Sequence, residues 1–375
     1  MNFEFSDEAR AVQAEARRFF GERCPRPLVR HAVEGEQAAA APLWRELGTL
    51  GYLAAGIDAE HGGQGLGLPE RCLICEEAGR ALAPLPLVAH WTAVTAIARH
   101  GSAAQRARWL PPLADGSIIA TCTLAPAGAG PGVDSPCRLE HDLVTGTRQP
   151  VEAGAGAGLV VLQAHAPDGL CLVLVELAQA AVERTVVPMI DPSRPHARLT
   201  FRGARAERLG AAGAGAALAD GLRDHAAILT GFCQLGGADA ALAMARDYAL
   251  ERYAFGRVIG GYQAIKHKLV DVYVRNEIAR GHCYYGAWSL ATDAPETPAA
   301  AAGARLAATR AFSFAAQENV QVHGGLGFTW EADCHLYYRR ARLLALVDAP
   351  LDAWRERLVD AMATPAPDAA LAQVA

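Results

Sequence analysis

Two segments in the last third of the chain combine residue types that suit a phosphate-bearing ligand. ERYAFGRVIGGYQAIKH (residues 251–267) contains Arg252, and QVHGGLGFTWE (residues 321–331) contains Gly324 and Gly325. An arginine guanidinium can donate two hydrogen bonds to phosphate oxygens, and glycines let the backbone approach a ligand with its N–H groups. Either segment alone occurs often by chance, but their order and spacing make the pair informative.

The elements around these segments are predicted to be helices. From about residue 217 to 358, apolar residues recur at helical spacing, and in residues 264–290 they form two stripes. The stripes are Ile265, Leu269 and Val272 on one side and Val270, Val274 and Ile278 on the other. This pattern predicts a helix packed on two sides, as in a bundle.

The first 118 residues are also predicted to be helical, beginning after Ser6, whose two acidic neighbours are typical of a helix start. Residues 119–213 instead contain short β-rich runs such as GLVVLQAH and GLCLVLVEL. We therefore predict three domains, 1–118, 119–213 and 214–375, in an α+β fold. The GGLG glycines follow a helical run rather than a strand, which excludes a Rossmann dinucleotide site.

Composition and charge are those of an ordinary globular protein. The chain has 375 residues, a net charge of −5, 51% hydrophobic and 20% charged residues. This balance does not favour nucleic acid or an anionic membrane surface as a partner, and the nine cysteines show no metal-ligand spacing. Without a signal-like N-terminus or a membrane-length apolar stretch, we expect a cytoplasmic protein.

In this context the two segments resemble the flavin-binding pair of the acyl-CoA dehydrogenase superfamily. The resemblance extends along the whole chain, through EHGGQGLG and EEAGRALAPLP in the first domain. It implies a helical domain, a central β-barrel domain and a C-terminal helical bundle, assembled as a homo- or hetero-tetramer with FAD at a subunit interface. It also implies an acyl-CoA substrate and electron-transfer flavoprotein as the electron acceptor.

The resemblance assigns cofactor contacts to six residues, with Arg252 reaching the FAD pyrophosphate of a neighbouring subunit. These residues are Arg252, Phe255, Gln263, Gln321, Gly324 and Gly325. His323, between them, is expected to be a structural histidine.

The family's reaction needs a carboxylate base, and two positions for it can be compared. Ungapped counting places the usual glutamate, which precedes Gly-Thr, at Asp348, followed here by Ala349 and Pro350. Asp348 could be the base or a surface residue that opens the last helix. The alternative position on an earlier helix is alanine, whereas Asp224 matches a position that contacts the CoA part of the substrate.

The chain departs from the family pattern elsewhere too. Residues 122–136 read CTLAPAGAGPGVDSP where the family has TEPxxGSD, with Ala125 at the acidic position, and the later strand lacks Trp-x-Thr. Three hypotheses follow: a homotetrameric FAD-dependent acyl-CoA dehydrogenase, a non-catalytic subunit of a heteromeric one, or a binding protein that has lost flavin. The retained Arg252 and Gln263 argue against the third.

Overall fold

Six α-helices precede the first strand in the computed structural model, which describes residues 3–124 and 137–363. They are α1 (Asp7–Arg23), α2 (Arg26–Val33), α3 (Ala41–Thr49), α4 (Leu68–Arg80), α5 (Leu87–His100) and α6 (Ala103–Ala114). The start predicted at Ser6 is confirmed, because its side chain accepts a hydrogen bond from the Ala9 N–H at 3.2 Å.

The central domain is a sheet of eight strands. They are β1 (Ala120–Thr123), β2 (Arg138–Glu140), β3 (Leu143–Glu152), β4 (Leu159–Ala166), β5 (Gly169–Glu176), β6 (Val182–Val187), β7 (His196–Arg205) and β8 (Glu207–Leu209). The order is β6-β7-β3-β2-β4-β5-β8, and β1 pairs in parallel with β4.

β4 connects the sheet to the helices because both of its faces are buried. Leu159 and Val161 join a core cluster with residues of α5 and α6, whereas Val160 and Leu162 face the core of the sheet. Successive side chains of a strand point to opposite faces, so this run of apolar residues fills two cores.

The C-terminal domain is helical apart from one hairpin. It contains α7 (Gly215–Glu251), β9 (Tyr253–Ala254), β10 (Arg257–Val258), α8 (Gln263–Ala291), α9 (Thr297–His323), α10 (Cys334–Leu344) and α11 (Leu351–Ala363). The order of helices, sheet and helices confirms the predicted architecture. The exact domain boundaries stay predictions.

α7 is the core helix that joins the two helical domains. Glycine permits its close packing on α4, since a Cβ at Gly236 would lie 1.8 Å from the Glu76 carbonyl oxygen. Within the described residues, only α7 is long and apolar enough to cross a membrane, but 78% of that window is buried inside the protein. In α8, by contrast, the stripe of Val270, Val274 and Ile278 is exposed on the surface of the single chain.

Candidate functional site

A cavity of about 220 Å³ lies where the three domains meet. α5 contributes Val88, Ala89 and Thr92, and α7 contributes Ala226 and Thr230. The remaining wall comes from β1, β3, the connection between β6 and β7, the start of β7, the end of α10 and the segment that follows α10. Its polar groups beyond the two threonines include Arg148, Glu152, Arg194, His196 and Asp348.

Asp348 is one of two residues with a carboxylate in the described lining of this cavity. The residue follows α10 in a left-handed conformation with φ of 66°, and its surface is exposed although the cavity walls surround it. Burial among these walls raises the pKa of Asp348, and the positive charge of Arg305 opposes part of that rise. A carboxylate with a raised pKa is a stronger proton acceptor once it is ionised.

The other carboxylate of the described lining, that of Glu152, already forms an ion pair within the chain. Arg194 donates a hydrogen bond to it, and both side chains are at most 9% exposed. Burial alone would raise the pKa of Glu152, but the charge and hydrogen bond of Arg194 hold it below its usual value. Asp348 is therefore the carboxylate that remains for a ligand among the described lining residues.

Sequence reasoning missed Glu152 and Arg194 as cavity residues. They come from the end of β3 and from the connection just before β7, 42 residues apart, and no local motif connects them. One sequence feature could have indicated Glu152: it lies just after the part of the strand in which the resemblance expects Trp-x-Thr.

The predicted cofactor residues lie on the surface, away from the cavity. Arg252 follows α7, and the next residues form a hairpin whose two turn residues, Phe255 and Gly256, have φ of 52° and 85°. Two positive φ values are typical of a type I′ turn. The turn leaves Phe255 97% exposed, and the Arg252 side chain has no hydrogen-bond or ion-pair partner in the part of the chain that the structure describes.

The second segment lies beside the first. α9 ends at His323, whose ring stacks on Tyr248 of the last turn of α7 with 4.1 Å between centroids. His323 Nδ1 also bonds the Asn319 carbonyl at 2.8 Å, which agrees with a structural histidine. Gln321, Gly324 and Gly325 are exposed next to this contact, as is Gln263 at the start of α8.

Asp224 is not brought to the cavity. Its carboxylate accepts two hydrogen bonds from Arg357 of α11, at 3.0 and 2.7 Å, at the edge of a separate groove. Burial raises the pKa of Asp224, and Arg357 opposes that rise. Ala125 and the rest of residues 125–136 lie outside the described residues, while Thr123 lines the cavity.

Two observations bear on how FAD would fit this chain. The exposed, unpaired Arg252 and the neighbouring glycines suit the phosphate end of such a cofactor. The cavity of about 220 Å³ is smaller than the roughly 300 Å³ at the low end for pockets of drug-sized ligands. The space that the described lining encloses is therefore that of part of an acyl group.

Comparisons with known proteins agree along the chain. Residues 6–117 match the acyl-CoA dehydrogenase N-terminal domain, and residues 213–359 match the acyl-CoA dehydrogenase C-terminal domain. The chain is 33% identical to the acyl-CoA dehydrogenase IpdE2 of Mycobacterium tuberculosis over 329 residues, which cover 87% of this chain and 89% of that protein.

Two of the solved structures that resemble this chain carry the names of two proteins each. The chain resembles the Tcur3481-Tcur3483 steroid ACAD with a TM-score of 0.87 and 29% identity, covering 95% of this chain and 98% of that one. It resembles the ChsE4-ChsE5 complex of Mycobacterium tuberculosis with a TM-score of 0.89 and 25% identity, covering 97% and 99%.

Proposed function

The chain belongs to the acyl-CoA dehydrogenase family, and we propose that it works in an FAD-dependent α,β-dehydrogenation of an acyl-CoA thioester with Asp348 as the base. The observation that carries this proposal is the position of Asp348, the carboxylate of the described cavity lining that has no internal ion pair.

In the proposed reaction the acyl group lies against the apolar walls formed by α5 and the end of α10, including Val88, Leu343 and Leu344. An acyl group bound there would displace water from the cavity, so that Asp348 meets the acidic α-hydrogen of the thioester in a less solvated setting. Its carboxylate oxygen accepts the α-proton, for which a raised pKa is favourable. FAD, when bound, supplies the acceptor for the hydride that leaves the β-carbon.

The residues proposed to hold FAD are on the outer surface. Arg252 would bind phosphate oxygens, Gln263 and Gln321 would donate or accept hydrogen bonds beside it, and Gly324 and Gly325 would admit the cofactor to the backbone. Since these residues are exposed and do not line the cavity, each FAD would lie between this chain and another. Electron-transfer flavoprotein is the proposed electron acceptor.

A second candidate is a non-catalytic subunit of a heteromeric acyl-CoA dehydrogenase. The small volume of the cavity favours this candidate. The side chain of Asp348 is also one methylene shorter than the glutamate that the resemblance expects. A misplacement of the base by about 1 Å can lower the rate on the order of a hundredfold. The similarity to a complex of two named proteins supports the same candidate. In that assembly the surface around Arg252 would complete a flavin site whose base belongs to the other chain.

The visible absorption spectrum of the purified chain separates the two candidates. Bound FAD that bleaches when acyl-CoAs are added without oxygen is expected if the chain is self-sufficient. An Asp348→Asn variant should then bind FAD normally and bleach about 10²–10⁴ times more slowly. Asp352→Asn, at an exposed position on α11, is the matched control and should bleach like the unmodified chain.

Flavin that never bleaches, or that appears only when a second dehydrogenase chain is co-expressed, would favour the non-catalytic subunit. Normal bleaching by Asp348→Asn in a self-sufficient chain would contradict the role of Asp348.

A further inference from the structure

Arg305 is a completely buried cation in the middle of α9, with 0% of its surface exposed. Burying a charge costs several kcal/mol unless partners compensate for the lost water. The buried Arg194 and Arg340 each pair with a carboxylate, Glu152 and Asp191 respectively. Arg305 has no carboxylate within ion-pair distance in the described parts of the chain, so its burial needs another explanation.

Two of the four hydrogen bonds of Arg305 hold the segment just before Asp348. Its Nη2 donates to the carbonyl oxygens of Leu344 and Val347, the latter at 2.9 Å. Its Nη1 donates to Gln234 Oε1 at 2.9 Å and to a threonine hydroxyl on α9 at 2.7 Å. Gln234 in turn donates to the Leu344 carbonyl at 3.3 Å.

Helix capping alone does not account for this arrangement. Leu344 is the last residue of α10, and a cation there stabilises the helix C-terminus. The Val347 carbonyl, however, lies beyond the helix and directly precedes Asp348, whose φ of 66° is uncommon for a residue with a side chain. The bond to Val347 therefore fixes the backbone at the point from which the cavity carboxylate projects.

We infer that Arg305 is a positioning residue for the proposed reaction, which fixes the loop that carries Asp348 and supplies a buried positive charge near it. This inference rests on the proposed role of Asp348. It adds a residue that contacts neither substrate nor cofactor.

Several charged groups act on Asp348, and Arg305 is the foremost of those that favour its ionised form. Burial raises the pKa of Asp348, Arg305 lowers it most, and the remaining groups come from three strands and α7. They are Glu152, which raises it, Arg223 and His196, which lower it, and the nearby Cys122 thiol, whose own pKa is raised by burial. Burial lowers the pKa of Arg305 to about 10, so the guanidinium remains charged at neutral pH.

Two substitutions separate the charge of Arg305 from its hydrogen bonds. Arg305→Met removes both, so the pKa of Asp348 should rise and the pH midpoint of acyl-CoA-induced bleaching should move upward by about one unit. Arg305→Lys keeps the charge but loses the planar fork, so the midpoint should stay while bleaching slows by about ten- to a hundredfold.

Amide hydrogen exchange of residues 344–349 provides a readout without substrate or flavin. Both Arg305 variants should exchange faster in this segment than the unmodified chain. Arg340→Lys is the matched control, because Arg340 is equally buried but binds Asp191, Ser193 and two carbonyls of the first domain. It should leave exchange in residues 344–349 and the pH midpoint unchanged.

Equal exchange in Arg305→Lys and Arg340→Lys, together with an unshifted midpoint in Arg305→Met, would overturn the inference. If Arg305→Met does not fold, the exchange and rate of Arg305→Lys still decide it. Normal bleaching by Asp348→Asn would instead contradict the proposed function, while faster exchange in the Arg305 variants would still establish that the loop is fixed by Arg305.

Discussion

The cavity and the surface around Arg252 differ in whether their charged side chains have partners within the chain. In the cavity, Glu152 is paired with Arg194, and Asp348 lies in the field of a buried arginine. On the surface, the Arg252 side chain has no partner in the described residues, and the neighbouring Phe255 is 97% exposed. The charged groups of the cavity thus meet opposite charges within the chain, whereas the Arg252 side chain does not, as the proposed contact with another molecule expects.

The largest effect expected from this contrast is on folding, and it arises in the cavity. Glu152→Gln leaves Arg194 buried without its carboxylate, so the free energy of unfolding should fall by about 3–5 kcal/mol. Urea denaturation at pH 7.5 measures this change. Glu183→Gln, which breaks an exposed pair with Arg202, is the control and should cost at most about 1 kcal/mol.

The pH dependence of this effect has a definite sign. Arg194 holds the pKa of Glu152 below its unfolded value, so the pair stabilises the chain above that unfolded value and ceases to do so as pH falls through the folded pKa. The difference between Glu152→Gln and the unmodified chain should therefore narrow in acid. A difference that widens as the pH is lowered would contradict the proposed pairing.

The surface should respond to substitution in binding and not in folding. Arg252→Gln removes a charged donor, and hydrogen bonds to charged groups contribute about 1.5–3 kcal/mol, so the Kd for FAD should rise about ten- to a hundredfold. The unfolding midpoint of the chain without FAD should not change. Arg246→Gln, at an exposed arginine that pairs with Asp247, should leave the FAD Kd unaltered. A loss of stability in Arg252→Gln would mean that the arginine has an internal role.

The same contrast explains what the sequence could predict. Helices, strands and turns follow from local periodicity and turn chemistry, which act over a few residues. The pairing of the two glycine-containing segments was expected from the family resemblance instead. The composition of the cavity does not follow from local sequence patterns, because its residues are brought together by tertiary contacts. Arg305 bonds Gln234 across 71 positions and Val347 across 42, and nothing near Arg305 in the sequence distinguishes it from a surface arginine.

Asp224 illustrates the limit of reasoning by position. Its place in the chain matched a substrate-contacting residue, but the sequence could not show that Arg357, 133 residues later, would bind its carboxylate. A long-range ion pair of this kind depends on how α11 packs, which only the folded chain determines. The predicted substrate role of Asp224 thus requires that the pair opens or that the carboxylate is shared.

The smallest predicted effect separates two adjacent glycines of the surface. Gly324 has φ of 60° and ψ of −137°, which strains any residue with a side chain, whereas Gly325 has no positive φ. A Cβ at either position would meet no atom within 4 Å. Gly324→Ala should therefore lower the free energy of unfolding of the FAD-free chain by about 1–2 kcal/mol through backbone strain alone. Gly325→Ala should leave that free energy unchanged.

FAD titration of the same two variants then tests the cofactor role directly. If the backbone of this turn touches FAD, Gly325→Ala should weaken FAD binding although its stability is normal, because the added methyl group projects outward where the cofactor approaches. If Gly325→Ala binds FAD as tightly as the unmodified chain, the turn does not contact the cofactor, and Gly324 is required for the shape of the turn only.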